Sequence, residues 1–348
     1  MRRLRIAVAG AGHIGRTHIA LVVNSAECEL AAVVDPAPAA AVIARQADAS
    51  LFASLDELFA RERPDGVVVA TPNSLHLEHG LACIAAGVPV LIEKPIADTI
   101  AAGETLCAAA ERGGVPLLTG HHRQHGAIVA KAAEVVRGGQ LGELVAVIGS
   151  ALFYKPDSYF DDAPWRRQPG GGPILINLIH EVGNLRAMCG EISAVQATVS
   201  STVRGHPVED TAAIVFRFAN GALGTFIVSD AAASGRSWEQ TSRENPRFPS
   251  YPDEDCYVVV GTRGSLAIPT MRLRYFAADT ERSWVTPLQS DTVAIERVDP
   301  LQRQLENFCA VIRGEAEAAV TGRDGLQNLR VIDAILRAAR SGGTVRVA

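Results

Sequence analysis

The residues best suited to chemistry begin at Gly10-Ala11-Gly12-His13-Ile14-Gly15, a full G-x-G-x-x-G. The motif follows the apolar run Ile6-Ala7-Val8-Ala9 and precedes a helical pattern, which is the context a dinucleotide fingerprint requires. Gly10 permits a tight turn, Gly12 lets the backbone approach a diphosphate, and Gly15 allows close packing of helix on strand. The helix N-terminus, with His13 and Ile14 in its first turn, then faces the phosphates. Asp35 ends the next β-branched run, about twenty residues beyond the last glycine, where a carboxylate accepts hydrogen bonds from the adenosine ribose hydroxyls. No Arg or Lys follows until Arg45, so a 2′-phosphate meets a carboxylate rather than a guanidinium, and NAD is expected rather than NADP. A merely structural glycine turn and a solvated loop aspartate are the plainer alternatives, and context and spacing weigh against both.

Two further segments fall where open α/β sheets bind ligands, at the carboxyl ends of strands. Thr71-Pro72-Asn73, with His76 just beyond, follows the third strand-like run, and Glu93-Lys94-Pro95 follows the fourth. All six of Thr71, Pro72, Asn73, His76, Glu93 and Lys94 are read as cofactor-side residues. A lysine is commonly a solvated surface charge, but a lysine on a strand end facing the cleft is a candidate for the reaction itself. After the fifth strand comes Gly120-His121-His122-Arg123-Gln124-His125. Its histidines invite a metal reading, yet His121 and His122 are adjacent and no Asp, Glu or Cys stands at ligand spacing, so no metal is expected. His122 and Arg123 are read as pocket-lining, with plain surface placement the alternative. Tyr159, Trp165 and Arg166 lie in a loop rich in cations and aromatics that either overhangs the pocket or is simply solvated. Glu209-Asp210 opens a strand and is assigned no chemistry.

These residues need a scaffold. From residue 4 to about 120 short β-branched runs at 4–9, 30–34, 66–70, 88–92 and 116–119 alternate with helical patterns near 14–24, 37–46, 54–61, 75–86 and 97–112, the signature of a parallel sheet covered on both faces. Ser54, Ser74 and Asp98 or Thr99 are plausible N-caps, and Gly87 and Gly113-Gly114 are stops. Past Gly120 a helix near 126–137 leads into longer strands at 142–153, 193–203, 211–219 and 222–229, then 256–260, 264–268 and 272–277. Asn220-Gly221 between two of them predicts a type I′ hairpin. Helices near 173–188, 299–313 and 323–340 complete the reading, and 231–254 is a long excursion without periodicity. The expected fold is α/β: an N-terminal Rossmann domain with a doubly wound parallel sheet over residues 1–122, and a C-terminal α+β domain with a large open, mainly antiparallel sheet over 123–348.

Composition bounds the function. A chain of 348 residues, 48% hydrophobic and 20% charged, is ordinary globular material for two domains. Its formal net charge of −5 with interspersed signs lacks the basic footprint of a nucleic-acid binder, and no stretch has the apolar length of a membrane span. Six scattered cysteines without C-x-x-C spacing read as reduced thiols in a cytoplasm. Met1-Arg2-Arg3-Leu4-Arg5 resembles the basic start of a signal peptide, but glycine and His13 interrupt the apolar stretch too soon, and a first strand explains it better.

With these motifs in place the chain resembles, over nearly its whole length, the glucose-fructose oxidoreductase, inositol dehydrogenase and MocA family. The resemblance implies that Lys94, in the Glu-Lys-Pro motif, lies in the active site. It also implies that the run Gly170-Gly171-Gly172 opens a helix whose His180 is the catalytic histidine. The position four before that histidine is Ile176 where many members have Asp, and Asn177 is the nearest polar side chain. In an α-helix Ile176 and His180 share a face, with Asn177 offset from it. Asn177 therefore substitutes only in part, and the family's sugar and polyol substrates carry over less firmly than Lys94 and His180.

The expected function is an NAD-dependent dehydrogenase acting on a secondary hydroxyl of a sugar, cyclitol or other small cyclic alcohol. His180 serves as general base, Lys94 holds the alkoxide, and both converge on one hydroxyl. A redox-neutral, NAD-using glycoside-cleaving enzyme and a ligand-sensing protein that has lost catalysis are the competing readings. The open sheet needs cover, so a homodimer or homotetramer is expected.

Overall fold

The computed structural model describes residues 2–348. They form two compact units: one runs from the N-terminus to His125 and includes Pro300–Leu329, and the other holds Gly126–Asp299 with Arg330–Ala348. The return of Pro300–Leu329 to the first unit is not signalled by the change of texture at Gly120.

In the first unit the order is β1 (Leu4–Ala9), α1 (His13–Val23), β2 (Cys28–Val34), α2 (Ala40–Gln46), β3 (Ser50–Phe52), α3 (Leu55–Arg61), β4 (Gly66–Val69), α4 (His76–Ala85), β5 (Val90–Glu93), α5 (Ile100–Gly113) and β6 (Leu117–Gly120). The sheet runs β3-β2-β1-β4-β5-β6 with every pair parallel, and its order reverses between β1 and β4. All residues of β4, β5 and β6 are buried, as expected of strands covered on both faces. Ser54 caps α3 by accepting the Glu57 N–H at 3.2 Å, and Thr99 caps α5 through Ala102 N–H at the same distance. Ser74 caps nothing, because a 3₁₀ turn over Asn73–Leu75 precedes α4. Strand β3 went unread because Ser50-Leu51-Phe52 is short and buries only Phe52.

The second unit contains α6 (Ala127–Arg137), β7 (Leu144–Leu152), α7 (Asp157–Asp161), α8 (Ile179–Cys189), β8 (Ile192–Ser200), β9 (Thr211–Phe218), β10 (Leu223–Ser229), α9 (Trp238–Thr241), β11 (Tyr257–Gly261), β12 (Gly264–Ile268), β13 (Arg272–Tyr275) and β14 (Gln289–Thr292). Helices α10 (Pro300–Arg313) and α11 (Gly322–Ser341) follow, and β15 (Val345–Arg346) ends the chain. The nine strands run β14-β13-β12-β11-β7-β10-β9-β8-β15, antiparallel except for β7 beside β10. Burial alternates along β9 and β10, so Ile214, Phe216, Phe226 and Val228 face a core shared with α6 and α8. The opposite face is open: Thr225 pairs laterally with Ile148 on β7 and Val215 on β9, which are 55% and 42% exposed. The β9–β10 hairpin forms at Asn220-Gly221, but only Gly221 has positive φ, at 91°. Asn220 instead accepts the Ala222 N–H through its side chain, and Phe218 N–H reaches Ala222 O at 2.9 Å, so the turn is not type I′. Among the described residues no helix is long and apolar enough to cross a membrane.

Candidate active site

Because the first sheet is parallel, the carboxyl ends of its strands share one edge. That edge carries Gly10 after β1, Asp35 after β2, Thr71 after β4, Glu93-Lys94 at β5 and Gly120–His122 at β6. Gly10 has φ 94°, and a Cβ there would meet Ala70 O at 2.6 Å. A Cβ on Gly15 would collide with Gly10 O at 1.9 Å, so α1 closes directly onto the turn. Gly12 has nothing within 4 Å of its Cβ position. The turn therefore presents backbone to open space at the start of α1, as a dinucleotide diphosphate requires, and the glycines fit that cofactor. Asp35 is pinned beside it, its carboxylate accepting Ala11 N–H at 2.7 Å and Ala37 N–H at 2.8 Å. Lone pairs remain for ribose hydroxyls, since a carboxylate accepts about four bonds.

Thr71 Oγ1 lies 3.0 Å from His79 Nδ1, and Pro72-Asn73 leads into the turn before α4. His76 is fully buried, with Nδ1 2.8 Å from Pro95 O and Nε2 2.9 Å from Thr71 O. Burial lowers its pKa while the two carbonyls oppose the shift. His76, read from the sequence as a cofactor-side residue, ties the Thr71 and Pro95 loops of this edge together.

Lys94 follows the buried Glu93, donates its backbone N–H to Glu93 Oε2 at 3.1 Å, and precedes Pro95 through a cis peptide. Burial alone would raise the Glu93 carboxyl, but a hydrogen bond from His18 and the electrostatics of the neighbouring His18 and Lys94 bring it down to about 2. His122, on the turn after β6, is held down to about 3 by burial and by the adjacent Arg123, so it is neutral at ordinary pH. Arg123 is itself buried, 4% exposed. The edge thus combines an ionised buried carboxylate, a lysine and the neutral imidazole of His122.

In the second unit the glycine run makes two close approaches. A Cβ on Gly171 would strike the Arg166 backbone at 2.5 Å, and one on Gly172 would strike the Glu209 carboxylate at 2.3 Å. Glu209 Oε1 accepts the Ile174 N–H at 3.1 Å, satisfying a donor at the start of the helical segment. That segment begins as a π turn over Ile174–Leu178 and becomes α-helix only at Ile179. Its i→i+5 bonding alters the α-register that places Ile176 on the face of His180, so that relation does not carry over as read. Such turns recur at functional sites. Asn177, within the π turn, accepts Lys155 Nζ at 2.8 Å, and Asp230 lies 3.7 Å from the same ammonium. Lys155 stands over the Tyr159 ring at 4.6 Å, and Arg166 stands 3.8 Å from the same ring centre while donating to Tyr159 O. Burial raises the Tyr159 phenol. Trp165 is exposed at 55%. His180 is buried in the first turn of α8, 7% exposed. Beneath it Tyr257 donates to the buried Glu181, and Asn184 donates to Tyr257 at 3.3 Å.

The structure therefore gathers Asn177, Tyr159 and Arg166 around the start of the helix that carries His180. Glu209, Asp230 and His18 were given no role by the sequence reading. Glu209 and Asp230 are distant in sequence from what they touch. His18 did leave a signal, a histidine in the buried stripe Gly15, His18, Ile19, Val22 of α1.

A glycine turn at the switch point of a parallel sheet, with lysine on the same edge, defines a Rossmann-type NAD(P)-dependent oxidoreductase. Residues 4–121 match the family described as an oxidoreductase family with NAD-binding Rossmann fold, and residues 133–347 match its C-terminal alpha/beta domain. The chain belongs to this family, that of glucose-fructose oxidoreductase, inositol dehydrogenase and MocA. It is 27% identical to inositol 2-dehydrogenase of Rhizobium meliloti, covering 99% of both chains. It is also 27% identical to D-xylose 1-dehydrogenase (NADP+) 2 of Haloferax volcanii, covering 98% of both. Among solved structures, the WlbA dehydrogenase of Bordetella pertussis in complex with NADH and UDP-GlcNAcA superposes with a TM-score of 0.79 at 25% identity, over 100% of this chain and 99% of that one.

Proposed function

We propose that this protein is an NAD-preferring dehydrogenase that oxidises a secondary hydroxyl of a sugar, cyclitol or other small cyclic alcohol, with Lys94 and His180 as its catalytic residues. The observation that carries the reading is Lys94 at the carboxyl end of β5, its backbone fixed by the ionised Glu93 on the edge that holds the glycine turn. Relatives named as a cyclitol and a sugar dehydrogenase support the substrate class. Residues 1–122 bind the cofactor in this reading, and 123–348 supply substrate contacts and the surface for self-association.

Nicotinamide, when bound, supplies the hydride acceptor. Lys94 donates a hydrogen bond to the substrate hydroxyl oxygen and stabilises the negative charge that grows there. His180 takes the hydroxyl proton as general base. Gly10, Gly12, His13, Ile14 and Gly15 seat the diphosphate, Asp35 takes the ribose and disfavours a 2′-phosphate, and Thr71-Pro72-Asn73 borders the cofactor. His122, Arg123, Tyr159, Trp165, Arg166 and Asn177 shape the substrate pocket. The apolar outer face around Ile148, Val215 and Ile227 pairs with a second copy in a homodimer or homotetramer, and six reduced thiols suit a cytoplasmic setting.

The test is to incubate the protein with NAD and, separately, myo-inositol, D-xylose and other sugars, polyols and sugar acids, following NADH by absorbance. NADH formation from at least one ring or chain alcohol is expected. Cleavage of a glycoside without NADH release, or turnover of none of these compounds despite tight NAD binding, would overturn the reading.

A further inference from the structure

His18 lies three residues beyond Gly15, and its side chain is 2% exposed. On the buried stripe of α1 an imidazole must find a polar partner, because an unpaired buried polar group is costly. The partner is Glu93, 75 positions away in sequence: His18 Nε2 stands 2.8 Å from Glu93 Oε1. The acceptor is a carboxylate, so Nε2 carries the proton and donates it. The other oxygen, Oε2, accepts the Lys94 N–H. Gly120 on the neighbouring strand leaves room for this carboxylate, since a Cβ there would stand 3.0 Å from Oε1.

Charged and titratable groups face Glu93 from several elements. They are His18 from α1, Lys94 from the end of its own strand, His122 from the turn after β6, and His76 from α4. His122 is neutral at ordinary pH, and burial lowers His76. The hydrogen bond from His18 is the foremost contribution that holds the carboxylate ionised.

We infer that His18 is a positioning residue for Lys94, clamping the Glu93 carboxylate that fixes the Lys94 backbone and tying it to the helix that opens at the dinucleotide turn. The inference rests on the catalytic reading of Lys94. Its physical content is that a hydrogen bond to a charged group contributes about 1.5–3 kcal/mol, and that the same buried carboxylate without its donor takes up a proton. Loss of that anion weakens the anchor for the Lys94 N–H.

The experiment follows the Glu93 carboxyl directly, in protein bearing glutamate labelled with an NMR-active carbon at the side-chain carboxyl and assigned by Glu93→Gln. Between roughly pH 5 and 8, above the usual carboxylate range, the native signal should stay at its ionised position. In His18→Leu it should titrate within that window. In His18→Gln, whose amide N–H still donates, it should stay ionised. Kinetics with NAD and whichever of myo-inositol or D-xylose releases NADH should show a kcat lowered about tenfold to a hundredfold in His18→Leu, as loss of one charge-assisted bond implies. KM for NAD should change little, the acid limb of the pH profile should move upward, and His18→Gln should recover most of the rate. A Glu93 signal that remains ionised in His18→Leu, or an unshifted acid limb, overturns the inference. Should His18→Leu not fold, the apolar pair His18→Leu with Glu93→Leu replaces it. A folded, NAD-binding pair with low kcat supports the positioning role, and one with native kcat overturns it. The NMR titration needs no substrate, so failure of the His18–Glu93 clamp is distinguishable from failure of the dehydrogenase reading, which the alcohol screen decides.

Discussion

The Glu209 carboxylate accepts the Ile174 N–H at 3.1 Å across a gap that Gly172 keeps open. The glycine run is therefore a seat for a carboxylate that starts the helical segment leading to His180, and a methyl group at Gly172 would stand 2.3 Å from that oxygen. Gly172→Ala should displace Glu209, leave the Ile174 donor unsatisfied and destabilise the protein by about 1–3 kcal/mol. Turnover should fall more than NAD affinity. Thermal melting together with NAD titration checks this, and an alanine variant with native melting temperature and rate contradicts it.

Burial raises the Glu209 carboxyl above its ordinary range, the Ile174 N–H opposes the shift, and Asp230 and Asp210 add to it. A raised folded pKa means the folded state binds this proton more readily than the unfolded chain does. The stability it contributes is thus present below the unfolded value of about 4.3 and lost as pH rises through the folded one. Glu209→Gln should flatten the pH dependence of the melting temperature in that window. Parallel curves for the two proteins would rule out this linkage.

Asp35 bonds both to Ala11 in the glycine turn and to Ala37. Fluorescence titration should give tighter binding of NAD than of NADP. Asp35→Asn, which keeps an acceptor but loses the charge, should narrow the preference while retaining more NAD affinity than Asp35→Ala. Equal or tighter NADP binding by the native protein is the contrary result.

Ile148 and Ile227 stand on the open outer face of the second unit, 55% and 41% exposed. Sedimentation at micromolar concentration should show a homo-oligomer, and Ile148→Glu with Ile227→Glu should shift it toward monomer without loss of fold. A native monomer would show that this face is tolerated in water.

Most strands of both sheets were legible because β-branched runs and alternating patterns register burial directly, as in β4 and β9, whereas the short β3, β14 and β15 carry no such pattern. The glycine turn, Asp35 and Lys94 were legible because local spacing fixes their place at one sheet edge. The π turn at Ile174–Leu178 was not, since a purely apolar and amide sequence carries no mark that distinguishes i→i+5 from i→i+4 bonding. Nor were the pairs His18–Glu93 and Gly172–Glu209, because each joins residues far apart in sequence that only tertiary structure brings together. The histidine in the apolar stripe of α1 was the one clue, as it demanded a partner without naming it.

The most direct measurement is the turnover of Lys94→Ala and His180→Ala with NAD and an alcohol that the native protein oxidises. Each variant should lose about a hundredfold to ten-thousandfold in kcat, the range of acid–base and electrostatic contributions, with NAD affinity little changed. Native turnover in either variant would contradict the assignment of these two residues to the reaction.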